Sequence, residues 1–430
     1  MGLLFLVMPL QAQLTQVAVD QQQRPDKPNE LSLSSAVALA LKDNPGLAQF
    51  QARYQALQQI PEQQGTLPDP VLSLNALNLP TDTLHVGQEA MTQLQIGISQ
   101  ALPYPGKLKL REQASDFDAQ AAGHSVAEWG NQLVANVKRS WWQLYYLDRS
   151  LLTINRNQAL LRNFVQVART KYEVAEGLQQ DLLLAQLELS KLIDQRIQLQ
   201  ALRRSQAIKL NRLMNRPVGA AVQLATRVAE TMPLIADRAE LIRRAQKARP
   251  LLMQVADQLD AAKSRLQLAN RDRYPDFKLG LSYGDRSGRS PGGGSRPDLV
   301  SVMFSVNLPL NRDSRQHKAV KQHAHQLSET RFGQQDKRAQ VEGEIAQAVS
   351  EYQRAQQQFV LFQTGILPQA RQTVASMLAG YQVDQVDFLN LVRAQLTQFN
   401  YELSYWRALV EANQALAQIV AAVGEENIYE

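Results

Sequence analysis

From Thr92 to Arg111 the chain changes period. Leu94, Ile96 and Ile98 alternate with polar or small residues, Pro103 and Pro105 follow, and a charged helical pattern starts beyond Gly106. Side chains alternate across a strand but recur every 3.6 or so residues on a helix, so the stretch predicts a half-buried strand running straight into a helix. The event recurs from Val300 to Lys321, where Val300, Val302, Phe304, Val306 and Leu308 alternate with Ser301, Met303, Ser305 and Asn307 before Pro309. Proline ends a strand ladder, so Pro103, Pro105, Gly106 and Pro309 are the expected strand-to-helix hinges. The second has one proline and no Pro-Gly pair, so the two share a role but not a bend.

Two further runs alternate in the same way. Asp69 to Leu79 predicts a first strand whose alternation slips at Asn75 to Leu77, as a bulge would make it. Phe277, Leu279, Leu281 and Tyr283 predict a third. Around these pairs the rest reads as helix. Ser32, Ser34 or Ser35 caps a short helix through Leu41, Asn44-Pro45 restarts it, and Gly65 and Pro68 end it near Gln64. After Gly106 no proline interrupts the chain until past Gly177, which predicts a helix on the order of 90 to 100 Å long. A turn at Tyr172 to Gly177 and a second helix to about Asn215 complete an antiparallel helical hairpin. The order then starts again. Pro250 mirrors Pro45, Pro275 mirrors Pro68, Leu308-Pro309 mirrors Leu102-Pro103, and Tyr381 with Ala394-Gln395-Leu396 mirrors Tyr172 with Ala185-Gln186-Leu187, at offsets of about 205 to 209 residues. An internal duplication is the economical account.

The expected organisation is a signal peptide at 1–12, with an apolar core and a small residue at its end but no basic start, and an extended Gln-rich segment at 13–30. A first repeat at 31–214 contains a β-hairpin over 69–102 and a helical hairpin over 106–214. After a connector at 215–236, a second repeat at 237–423 contains a β-hairpin over 276–308 and a helical hairpin over 311–423. A tail at 424–430 ends the chain.

Composition narrows this picture. The 430 residues are 44% hydrophobic with no run long enough for a membrane-spanning helix, and cysteine is absent, which removes disulfides, thiolate metal sites and cysteine nucleophiles. The net charge of +6 comes from Lys and Arg scattered among Gln, Glu and Asp along helices, the pattern of solvated faces and not of a nucleic-acid surface. The loop Gly284 to Asp298 lacks a Walker lysine and a following helix, so it is no phosphate loop. No nucleophile and base pair, metalloprotease helix or nucleotide fingerprint is present, which argues against an enzyme and calls for no cofactor.

Strands of this length, alternating apolar with polar or small, match strands that cross a bilayer in a β-barrel. Four cannot close, and an open edge in lipid leaves backbone groups unsatisfied, so the chain must pool strands with its own copies. Two copies leave almost no lumen; three give twelve strands and a water-filled one. The polar helices, sparse in apolar positions over 313–363, suit a thin tube wall wet on both sides. The fold class expected is therefore a mixed α and β membrane protein: a trimeric 12-strand β-barrel, four strands per chain, continued by a long α-helical barrel. A scaffold with the same alternation in a soluble sheet is the reading from another class.

The layout, with Ile98-Ser-Gln-Ala-Leu-Pro-Tyr-Pro-Gly-Lys107 and the stretch from Tyr381 to Leu396, resembles the outer-membrane factors of Gram-negative efflux systems, the TolC family, from Leu31 to Val423. The Ser-Gln-x-x-Pro-x-Pro-Gly-Lys form is closest to the heavy-metal branch, the CusC and CzcC group. The resemblance implies a homotrimer held in outer-membrane lipid with its helices in the periplasm. It implies a periplasmic adaptor (a membrane fusion protein) and an inner-membrane RND-type pump as partners. Multidrug efflux and type I secretion are the alternative uses of such a duct, with metal cations, drugs or peptides as cargo. The family closes its inner end with polar links near the hairpin turns; by position Tyr381 and Asp181 form one link, while Asp387 and Asn390 line the constriction. Asp384 stands where the family often has Gly, and the lipid-acceptor cysteine of many relatives is missing.

The residues themselves leave alternatives open. Asp181, Asp384 and Asp387 fit a gate worked by like-charge repulsion, yet Asp near a helix start is also a common cap. His317, His323 and His325 are spaced so that no helical face collects them, which favours solvated histidines over a metal site. Trp141, Trp142, Tyr145 and Tyr146 read first as helix-seam packing.

Overall fold

A computed structural model of the chain describes residues 30–225, 228–290, 293–383 and 385–429. The expected signal peptide and nearly all of the extended segment that follows lie outside them, as does Asp384.

The first half opens with α1 (Leu33–Asp43), capped by Ser32, whose Oγ accepts the Ser35 N–H at 3.2 Å. Asn44 then caps α2 (Pro45–Gln58), with Pro45 in its first turn. The single helix expected to Gln64 is broken at Gln59, and α3 (Ile60–Gly65) follows. Pro61 has no N–H for the preceding turn and its ring crowds that turn's carbonyl. Strands β1 (Val71–Leu77) and β2 (Gln93–Leu102) lead into α4 (Lys107–Glu173), 67 residues long, and α5 (Gln179–Leu213) returns beside it.

The second half runs through the same order: α6 (Arg238–Ala248), α7 (Pro250–Arg271), β3 (Phe277–Asp285), β4 (Leu299–Val306), α8 (His317–Leu361), α9 (Leu367–Gln382) and α10 (Phe388–Val423). Between α8 and α9 the path stays helical but widens to a π-helical turn at Phe362–Ile366. Pro368 offers no N–H to the carbonyl of Thr364, and a wider turn absorbs the missing bond. None of these helices is long and apolar enough to cross a membrane.

The strands form one antiparallel sheet in the order β1-β2-β3-β4, and the register sorts its two faces. Leu74 lies opposite Ile96, which lies opposite Tyr283, which lies opposite Val300; Ile98, Leu281 and Val302 make the next row. The other face carries Ser73, Gly97, Ser282 and Ser301 in one row. One face is thus apolar and the other small or polar, and no helix packs against either: Leu74 is 75% and Val302 77% exposed. The bulge expected at Asn75 to Leu77 is absent, since pairing runs unbroken through Leu77 with Gln93. The alternation slips there because the strand ends: Asn78 turns to φ 55° and its side chain donates to the Met91 carbonyl.

The helices pack as a wall, with α4 against α5, α7 and α10, and α8 against α7 and α10. Trp141 (2% exposed), Trp142 and Tyr145 sit in an apolar cluster between α1 and the long helices, where Trp141 Nε1 donates to the Leu31 carbonyl at 3.0 Å. A second cluster joins α6 to α8 and α10 around Leu241, Ile345 and Tyr352.

One joint holds each half together. Asn44, at the start of α2, donates from Nδ2 to the Leu213 carbonyl at the end of α5. At the corresponding place before α7 stands Arg249, which donates to the Ala422 carbonyl at the end of α10 and also binds Glu128 of α4 at 3.1 Å and Glu344 of α8 at 2.7 Å. Burial disfavours this charge, but Glu128 and Glu344 outweigh it and hold the guanidinium above its ordinary pKa. Arg249→Leu leaves Glu128 nearly buried and Glu344 partly exposed with no counter-charge between them, so a loss of about 2–4 kcal/mol is expected by thermal unfolding of the purified protein, and adding Glu128→Gln and Glu344→Gln should recover most of it.

Candidate functional site

The hairpin turns α4–α5 and α9–α10 meet at the end of the helices remote from the sheet. Both are tight. In the first, the Lys171 carbonyl accepts the N–H groups of Glu176 and Gly177, and a Cβ on Gly177 would lie 2.9 Å from that of Lys171. In the second, the Gly380 carbonyl accepts the Gln385 N–H at 2.9 Å, and a Cβ there would meet Val386 at 2.6 Å. Glycine is needed at both by close approach.

Above the turns lies a third apolar cluster, drawn from both hairpins: Phe164 and Ala168 of α4, Ala185 and Leu192 of α5, Tyr381 of α9, and Phe388 and Leu391 of α10. Phe388 stands edge-on to Phe164 at 6.3 Å and 5.4 Å from the Tyr381 ring. One turn higher, buried Gln395 donates to Asn157 Oδ1 at 2.8 Å, tying α10 to α4.

The acidic residues rim this cluster. Asp181 sits in the first turn of α5, half-buried, while Asp387 precedes α10 and Asn390 lies on that helix's first turn, both exposed. A carboxylate near a helix N-terminus is ordinarily stabilised by the dipole. Asp181 is instead pushed above its usual value, by burial and then by the negative charge of Asp387. Asp387 holds the N-cap position without using its side chain as a cap; only its carbonyl is engaged, by the Asn390 and Leu391 N–H groups. The cap reading therefore fails for Asp387, and its carboxylate is left to face Asp181. Tyr381, expected beside Asp181, is turned into the apolar cluster, with Lys171 Nζ 4.7 Å above its ring. Two like charges from different hairpins thus sit over an apolar cluster, where their repulsion opposes close approach of the hairpins while both are ionised.

At the other end the hinge residues occupy the sheet-to-helix passage. Gly106 takes φ 87°, a left-handed conformation that favours glycine, and starts α4 directly. Lys107, the first residue of α4, is 2% exposed; its Nζ binds Asp276 at 2.9 Å, Asp272 at 3.3 Å and the Tyr274 carbonyl. Asp276 also accepts the Tyr104 N–H at 2.7 Å, so one carboxylate joins the end of β2 to the start of β3. Burial disfavours the Asp276 charge, but Lys107 and the Tyr104 N–H hold its carboxyl below the usual range. After Pro309 the chain makes a wide π-helical turn at Arg312–Gln316 before α8, with Leu310 86% exposed. Nothing in the local sequence marks Lys107, Asp276 or Arg249 as joints, because their partners are distant in the chain. His317 pairs with Asp313 at 2.7 Å.

Residues 241–425 match the family model described as outer membrane efflux protein. No curated protein matches the chain. Among solved structures the chain is similar to the outer-membrane channel OprN (TM-score 0.75, 19% identity, covering 91% of this chain and 89% of that one). It is similar also to the outer membrane protein VceC of Vibrio cholerae (TM-score 0.77, 17% identity, 91% and 96%) and to CusC (TM-score 0.75, 15% identity, 91% and 92%). At these identities the likeness establishes the fold over nearly the whole chain, that of outer-membrane channels, and residues 241–425 of the second half add a match in sequence to outer membrane efflux proteins.

Proposed function

We propose that the chain is one third of a passive, gated exit duct that carries substrate delivered by an inner-membrane RND-type pump through a periplasmic adaptor. The observation that carries this reading is the sheet: four strands, apolar on one face and small or polar on the other, bare on both faces and open at β1 and β4. In lipid such a sheet is stable only when its edges are paired, and three copies close twelve strands around a lumen. Duplication of one ancestral half, giving repeats over 31–214 and 237–423 around the connector 215–236, accounts for the repeated order of elements. The family's members are channels, and no step of this reading needs catalysis. Purified full-length protein is expected to run as three chains in native mass measurements and to insert into planar bilayers as a conducting unit. A trimer that stays silent under every gate substitution would sink the duct.

The gate in this reading is the tip, with Asp181, Asp387 and Asn390 around the constriction and Tyr381 in the plug; Asp384, which lies outside the described residues, is assigned to it by its place in the sequence alone. A carboxyl raised above its ordinary value gains its proton early as pH falls, so acid removes the Asp181–Asp387 repulsion and favours the closed tip, whereas rising pH weakens it. Conductance should therefore fall on acidification. Asp181→Asn should abolish that fall and hold the neutral-pH conductance near the acid level, while an unchanged pH profile in this variant would remove Asp181 from the gate.

Metal cations are the proposed cargo, on the strength of the Ser99-Gln100 to Gly106-Lys107 motif. A deletion strain is then expected to be sensitised to metal salts in a susceptibility panel; sensitivity confined to antibiotics would reassign the duct to drug efflux.

A further inference from the structure

We propose that the rim where sheet passes into helix holds a binding site for the headgroup of an anionic glycerophospholipid. A cavity of about 850 Å³ lies between α4 and α7, lined by Lys109, Arg271, Arg273 and Arg312 and by Tyr104 and Tyr274, with no acidic residue in its lining. The two tyrosines stack at 4.7 Å. Among the described residues none of the four cations forms an ion pair; Arg271 donates one bond, to the Pro105 carbonyl at 3.3 Å, and the nearby carboxylates of Asp272 and Asp276 are committed to Lys107. The scattered basic residues of the sequence are here gathered from three segments into one place.

The pleat shows which side of the wall the cavity opens on. Tyr104 comes two residues after Leu102, and Pro275 two before Phe277, both on the apolar face of the sheet. A residue preceding proline is held extended, which applies to Leu102, Tyr104 and Tyr274 and carries the alternation past the strand ends. Leu308, two residues beyond Val306 of the same face, is 70% exposed, and after the turn that follows it Arg312 joins the lining of the same cavity. The cavity is thus on the face that meets lipid, at the depth where the apolar band ends.

That placement selects the ligand. Exposed leucines below the strands offer a surface for acyl chains, the paired tyrosines suit the interfacial layer, and long basic side chains reach from apolar surroundings to phosphate. Guanidinium groups bind phosphate through two parallel bonds. A zwitterionic headgroup would bring an ammonium into a site with no carboxylate to receive it, so a net-negative headgroup such as phosphatidylglycerol is favoured.

The site rests on the membrane-barrel reading, and the experiment separates the two. Detergent-purified full-length protein is titrated with phosphatidylglycerol or phosphatidylethanolamine of the same chains and lipid retention is read by native mass spectrometry. Preferential retention of phosphatidylglycerol is expected, falling about fivefold for each cation removed in Lys109→Gln, Arg271→Gln and Arg273→Gln combined, with phosphatidylethanolamine unaffected. Arg312→Gln alone, on an exposed turn, should cost about fivefold and serves if the combined variant does not fold. Equal retention of both lipids by the unaltered protein, or unchanged retention by the variants, overturns the site. Displacement of the lipid by millimolar inorganic phosphate would show a free-anion site and overturn the lipid assignment. Release of the protein from membranes by carbonate, without detergent, would instead reject the barrel reading beneath it.

Discussion

One buried ion pair sets the orientation of the sheet. No helix covers either face, so the sheet is held to the rest of the chain only through its strand ends, and there Lys107 and Asp276 carry the load. A lysine at the first position of a helix sits badly with the dipole, and its burial adds a desolvation cost. Two carboxylates and a carbonyl around one ammonium offset both. Because Asp276 also takes the Tyr104 N–H, the end of β2, the start of β3 and the first turn of α4 are fixed to a single atom group, and each strand leaves the helical wall in a defined direction.

The elements were legible wherever one period governed a stretch. Alternation at Leu94 to Ile98 and at Val300 to Val306 marked strands, and the lack of proline after Gly106 marked the length of α4. What escaped were interactions between distant segments. The break at Pro61 and the wide turn before Pro368 depend on single backbone bonds inside otherwise helical patterns. The pairing of β2 with β3, the joint at Arg249 and the cavity around Arg271 bring together residues from opposite halves, which periodicity does not address. At the tip, the acidic residues were placed by resemblance to a family, while the failure of Asp387 to cap its helix needed coordinates. The scattered charge, read from sequence as solvated faces, proved locally concentrated for the same reason.

At the tip an attraction and a repulsion are set against each other. Burying a phenylalanine such as Phe388 is worth roughly 1.5–3 kcal/mol, while a partly exposed charge pair amounts to about 1 kcal/mol or less. Within one chain the apolar plug therefore wins, and the two hairpins stay packed with Asp181 and Asp387 facing each other. Around an axis the proposed assembly would repeat that repulsion three times in one ring, so a contact that is secure in a single chain becomes adjustable among several.

The pairing of β2 with β3 bears on how the molecule comes to exist. Leu94 to Leu102 must find Phe277 to Asp285, partners separated by the whole first helical hairpin and the connector, whereas β1 with β2 and β3 with β4 are local. Closing so long a loop is entropically slow, and until both helical walls are in place nothing holds the two β-hairpins side by side. Helices therefore form early and the seam late. Through that interval the apolar face of each β-hairpin has no cover, which makes completion of the sheet the slow step and, for the proposed barrel, the bilayer surface the place where it would end.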